Sequence, residues 1–165
     1  MSKRISEERR LAGEFAEAVG LTVRHRVRKT FADGRVEEYE VGNLVVGAGR
    51  DELALRATVT SHAPFGYLAA GSGTNAASLG STGLTYETVR KAATMAASHE
   101  VIIGVCSLGG SADGVTSQYL DEAGLFNDAS SGQGTMLNLL TGINHTFADS
   151  DVVEVHMEVA VGSYA

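Results

Sequence analysis

Phosphate binding is the chemistry that Gly71-Ser72-Gly73, beside a candidate strand, could perform by offering backbone amides to an anion. The stretch lacks a third glycine, a following lysine and a helix start, so nucleotide binding is set aside. Zinc would need histidines at ligand spacing on shared elements. His25, His62, His99, His145 and His156 are instead scattered along the chain. Asp113-Gly114 and Asp149-Ser150-Asp151 could hold Ca²⁺ through loop carboxylates, but solvated turn residues are the simpler reading. No Gly-x-Ser-x-Gly nucleophile elbow occurs. Cys106 is the single cysteine, which excludes an internal disulfide and reads as a small buried hydrophobe. Asn144-His145-Thr146 is a formal glycosylation sequon that matters only in a secreted chain. The expectation is a chain without catalytic residues, metal ligands or cofactor.

Asp121 and Glu122 are the more pointed pair, because they run straight into Ala123-Gly124-Leu125-Phe126. Carboxylates beside an apolar cluster are costly unless backbone N–H groups or an arginine satisfy them. Val115 to Phe126 reads as a central strand, with Val115, Ser117, Tyr119 and Asp121 on one face and Thr116, Gln118, Leu120 and Glu122 on the other.

The elements that must position this stretch follow from periodicity. Ser6 is a helix N-cap candidate, and Leu11, Phe15, Ala18 and Val19 recur at helical spacing until Gly20. From Leu21 the period changes to two. Leu21, Val23, His25, Val27 and Lys29 alternate with Arg24, Arg26 and Arg28, and Asp33-Gly34 turns the chain into Val36 to Val41. Glu38 and Glu40 can stand across from the arginines as cross-strand pairs. Arg50 to Arg56 and the segment holding Glu87 and Arg90 read as helical turns, the latter at pairing distance. Tyr67 to Thr74, Ala92 to Ala97, Val101 to Leu108, Met136 to Ile143 and Val152 to Val161 read as strands. With about eight strands and regular turns, the expected class is all-β, a jelly-roll-like β-sandwich over residues 21–165 behind a helical arm at 1–20.

Twenty glycines against one proline, with no tryptophan, suit tight loops and strands better than a helical bundle. The net charge of −7 disfavours nucleic acid as a partner. Ten of the 13 Lys and Arg lie in residues 1–50, which leaves Arg56, Arg90 and Lys91 as the cations of residues 51–165. A body so poor in long cations is expected to hide surface in contacts. The charged first ten residues do not read as a signal peptide, and no stretch reads as a membrane span.

Three stretches carry a resemblance. Asn43-Leu-Val-Val-Gly-Ala-Gly-Arg50 resembles the N-x-V-x-N-A-G-R motif of a family of small tail-fibre-like structural proteins of tailed bacteriophages, with Gly47 where that family often has Asn. Tyr67-Leu-Ala-Ala-Gly-Ser-Gly-Thr74, followed by Leu84, Glu87 and Arg90, is similar to its Y-I-A-L-G-T-G-T strand and later L-x-x-E-x-x-R. Glu122-Ala-Gly-Leu-Phe126 followed by Gly134-Thr-Met136 matches its E-A-G-L-F strand and hairpin. The order and spacing agree over residues 36–161.

The resemblance implies a virion structural protein at the tail, a fibre base or adaptor, assembled in the host cytoplasm and released by lysis. Its partners would be copies of itself, as a trimer or higher, and other virion proteins. A capsid decoration protein and, from another class, a carbohydrate-binding sandwich are the alternatives, although aromatics for sugar stacking are few. The family contributes no catalytic residues. Arg9, Arg10, Arg24, Arg26 and Arg28 are the expected assembly interface, and residues 1–30 the attachment arm. Glu122, held by backbone amides or by Arg50 or Arg90, would pin the strand whose Leu125 and Phe126 close the core.

Overall fold

Alternating side chains around an Asp-Gly turn build the first hairpin, as the sequence leads one to expect. Strand β1 (Leu21–Thr30) pairs antiparallel with β2 (Val36–Val41). Gly34 adopts φ 85°, a conformation that L side chains rarely accept, while Asp33 Oδ1 accepts the Arg35 N–H at 2.9 Å. His25, Val27 and Lys29 point inward and are buried, and Arg24, Arg26 and Arg28 are exposed. The computed structural model describes residues 21–41, 43–56, 61–98 and 101–161. The helical arm expected at 1–20, with Arg9 and Arg10, lies outside the described residues.

The chain continues through β3 (Asn43–Val45), helix α1 (Gly47–Arg56), β4 (Tyr67–Gly71), β5 (Glu87–Ala92), β6 (Thr94–Ser98), β7 (Val101–Gly109), β8 (Tyr119–Phe126), β9 (Met136–Thr146) and β10 (Val152–Val161). Among the described residues the protein is therefore all-β with one short helix, arranged as two antiparallel five-stranded sheets. One sheet has the order β2-β1-β10-β7-β6, and the other β3-β9-β8-β4-β5. Four of the pairings are nested: β1 meets β10, β3 meets β9, β4 meets β8 and β6 meets β7. A long antiparallel ribbon folded on itself gives this pattern.

One apolar cluster takes Val27, Leu108, Val155 and Met157 from the first sheet and Leu68, Leu125, Leu137 and Leu140 from the second. On its other side the second sheet buries Val46, Ala69, Phe126, Met136 and Leu139, covered in part by Ala77 and Leu84 of the loop between β4 and β5. Leu125 and Phe126, neighbours in sequence, thus enter two different cores, as alternation on a strand buried on both faces requires. Helix α1 lies directly on β9. A Cβ on Gly49 would stand 2.3 Å from the Leu137 carbonyl oxygen, so only glycine permits that approach.

Four expectations need correction. The central strand starts at Tyr119; Val115 to Gln118 form a turn in which Ser117 has φ 64° and Gln118 N–H donates to the Val115 carbonyl. Val115 is nonetheless buried in the shared core. The segment with Glu87 and Arg90 is strand, not helix. A bulge opposite Ala70 and Gly71 inserts an extra residue between Glu87 and Val89. Glu87 and Arg90 therefore share a face, at the spacing that imitates a helical pair. Ala92 to Ala97 is two strands in different sheets, because the chain crosses over at Ala93, whose N–H donates to the Gly66 carbonyl at 2.8 Å. Finally, ten strands are present among the described residues, and α1 begins three residues before Arg50.

Candidate functional site

Glu122 is fully buried near the middle of β8, and its carboxylate is a receptor for backbone donors. Oε1 accepts the N–H groups of Gly73 at 3.0 Å and Tyr86 at 2.8 Å, and Oε2 accepts that of Thr85 at 3.0 Å. These donors come from the two ends of the 72–86 loop, so one side chain closes a long connection of small residues onto the sheet. Gly73 is glycine for a visible reason: a Cβ there would lie 2.4 Å from Glu122 Oε1. Of the two expected ways to satisfy the carboxylate, backbone amides are the one found. Arg50 Nε donates to the Val45 carbonyl at 3.3 Å. Arg90 forms a two-pronged pair with Glu87 and donates to the carbonyls of Asp128 and Gln133, its guanidinium stacked over Phe126.

The neighbouring acid has a different task. Where Leu120 pairs with His145 and Glu122 with Thr141, β9 carries two extra residues, shaped by Gly142 at φ 93° and Asn144 at φ 49°. Ladder bonds are lost at such a bulge, and side chains replace them. Asp121 Oδ1 accepts the Asn144 N–H at 3.0 Å, Lys29 Nζ donates to the Asn144 carbonyl at 3.0 Å, and the Tyr39 hydroxyl donates to the Ile143 carbonyl. Burial lowers the Lys29 pKa against the pull of Glu37, and burial with the charge of Glu37 pushes the Tyr39 hydroxyl up to about 12. Two strands of one sheet thereby complete an irregularity in the other.

Two of the loop carboxylates, Asp113 and Asp151, are not solvated turn residues, whereas Asp149 is exposed. Asp151 is buried and accepts the N–H groups of Ala32 at 2.8 Å and Ala148 at 2.9 Å. Burial works to raise its pKa, but those amides and the nearby His145 outweigh it and hold the carboxyl below its ordinary value. Asp113 accepts the Gly109 N–H at 2.7 Å and pairs with Lys91 at 2.9 Å. Cys106 is buried, and burial raises its thiol to about 11, too high for a nucleophile at neutral pH. No group of His, Cys, Asp and Glu among the described residues is placed to hold a metal ion. No helix among them is long and apolar enough to cross a membrane.

On the outer face of the first sheet, Arg24, Arg26 and Arg28 stand between two acidic strands. Glu40 and Glu38 lie opposite Arg26 and Arg28 on β2, while Glu158 and Glu154 lie opposite Arg24 and Arg28 on β10. The β2 acids were legible from the hairpin; those of β10, more than a hundred residues away, were not. Arg26 pairs diagonally with Glu38 at 3.5 Å and donates to His156 Nδ1 at 2.8 Å. A shallow depression of about 180 Å³ opens here, lined by Arg24, Arg26, Glu40, His156 and Glu158. That is small beside the ~300 Å³ at which small-molecule sites begin. The face is a checkerboard of charge, suited to reading a complementary pattern on another surface. Because Arg26 and Glu38 are about half exposed, Arg26→Ala changes stability by less than about 1 kcal/mol in urea melts. A larger loss would show that the stripe holds the fold together.

Comparison with protein-family models, curated proteins and solved structures finds no match for this chain.

Proposed function

We propose that this protein is a structural component of a tailed-bacteriophage virion, a tail-associated fibre base or adaptor that works by protein–protein assembly on a jelly-roll-like β-sandwich. The nested strand pairing supports the architecture, since a jelly roll is a long antiparallel ribbon rolled into two sheets. One observation carries the functional reading. The stretches that resemble the tail-fibre-like family converge on the second sheet, and their residues there do the work of shape. Gly49 lets α1 touch β9, Gly71 and Gly73 let the 72–86 loop close, Glu122 holds that loop, and Arg90 ties β5 to the 128–133 turn. A motif set spent on geometry supports a part that is assembled.

The cross-checkered arginine face and the virion proteins that would meet it complete the reading, with residues 1–30 as the attachment arm. Mass spectrometry of purified particles tests it. The protein is expected in them at low copy number, and a deletion of residues 1–20 is expected to remove it from them. Copy number on the scale of the capsid lattice would move it to the decoration role. Absence from particles, or selective retention on a glycan array through the exposed Tyr86, would overturn the virion reading.

A further inference from the structure

We infer that strand β6 is a self-association edge, at which two copies of this chain pair antiparallel about Ala96 and join their first sheets into one. This rests on the reading of the protein as a self-assembling part and names the surface it uses. Sheet edges invite pairing with another chain, and proteins normally blunt them with charge, shortness or covering elements. Among the described residues, three of the four edges are blunted. Strand β2 carries Glu37, Glu38 and Glu40, β5 carries Glu87, Arg90 and Lys91, and β3 has three residues. Strand β6, Thr-Met-Ala-Ala-Ser, has no charge and no proline, and among the described residues it pairs with β7 alone.

The occupant follows from self-complementarity. A two-fold axis through Ala96 sets Thr94 opposite Ser98, Met95 opposite Ala97, and Ala96 opposite itself. Small hydroxyl pairs then fall on one face and a large-to-small pair on the other, with no like charges opposed, which a two-fold interface requires. Thr94, Ala96 and Ala97 are exposed, and Met95 lies over Gly104, where its sulfur would be 3.1 Å from an added Cβ. The β7 residues beside this edge, Val101, Ile103 and Val105, are apolar and half-buried, so the joined sheet stays neutral across the seam. The charged strands β2 and β5 offer β6 no such match. Five paired residues bury less than the roughly 1,000 Å² of a stable interface, so the contact is weak in dilute solution and firm where copies are held side by side.

Directly opposed residues of antiparallel strands have Cα atoms about 4.5–5.5 Å apart, within disulfide reach. The test is oxidative trapping of the full chain at high concentration. Ala96→Cys is expected to shift from monomer to covalent dimer, while Glu38→Cys on the opposite edge stays monomeric and buried Cys106 stays silent. Adding both Thr94→Lys and Ser98→Lys to Ala96→Cys sets lysine opposite lysine at each end of the seam and should abolish the dimer through like-charge repulsion. An Ala96→Cys chain that dimerises no more than the Glu38→Cys control overturns the inference. So does a thiol at that position that a maleimide cannot reach in the monomer, which would mean that the edge is already covered. Presence of the protein in particles without trapping sinks this inference alone, and trapping without presence in particles sinks the virion reading alone.

Discussion

Glu122→Ala lowers the stability of the folded chain by about 3–5 kcal/mol, because three backbone donors lose their acceptor at once and each buried, unsatisfied donor costs ~1–3 kcal/mol. The sum falls short of the maximum because Thr85 and Tyr86 lie at the exposed end of the loop, where water can replace part of what is lost. Gly73 is enclosed and has no such recourse. Glu122→Gln keeps the shape but turns one acceptor into an amide that faces an N–H donor, and should cost about half as much. Gly73→Ala reaches the same contact from the other side. Its methyl group would displace the carboxylate, with the ~1–3 kcal/mol penalty of overpacking. Chemical melts of the three variants check the series. A Glu122→Ala protein within about 1 kcal/mol of the parent would mean that the loop is held by its apolar residues and not by the carboxylate.

Acid should weaken the fold well above the pH at which carboxylates protonate. His25 is 1% exposed between the sheets, and Asn138 Nδ2 donates to its Nε2 at 2.8 Å. The Asn138 amide is oriented by its Oδ1, which accepts the Leu125 N–H at 3.2 Å, so the imidazole nitrogen must be an acceptor and the ring neutral. Burial first, and the nearby His156 second, push the His25 pKa from 6.5 down to about 3. The unfolded chain therefore binds a proton below about pH 6.5 that the folded chain refuses until about pH 3. Stability is full above this window and falls within it as pH drops, by up to ~1.4 kcal/mol per pH unit.

His145, also lowered by burial, adds to the same slope, while Asp113 and Asp151, held below the ordinary 3.8, contribute losses only at more acidic pH. His25→Gln supplies an oxygen acceptor without a titrating group. Urea melts between about pH 7 and pH 4.5 should show its slope reduced by nearly one proton. An unchanged slope would place the proton uptake elsewhere.

How much of this was legible in the sequence depended on how far apart the partners lie. The first hairpin and the last strand could be read because their signals are local: a period of two, an Asp-Gly turn, and valine or methionine at every second position of β10. Arg24, Arg26 and Arg28 were legible as an exposed stripe for the same reason. Glu122 announced itself by standing among apolar residues, but its partners lie 36 to 49 positions away, and a sequence does not say which loop will return. The pair Glu87 and Arg90 misled because a bulge on a strand reproduces a helical spacing. Asn138 and His25, 113 positions apart, carried no signal at all, since each looks like an ordinary polar residue in an alternating strand.

The place of β10 in the first sheet has a consequence for how the molecule comes into being. It sits between β1 and β7, so the hairpins β1–β2 and β6–β7 have no link within their sheet until Val152–Val161 arrives. During synthesis both must wait on the ribosome with bare flanks, one of them since the first described residues. Contacts this distant in sequence make for slow folding and exposed intermediates. Stalled or truncated chains that lack this last ribbon should be the ones that clump, and crowded synthesis is where that hazard would be greatest.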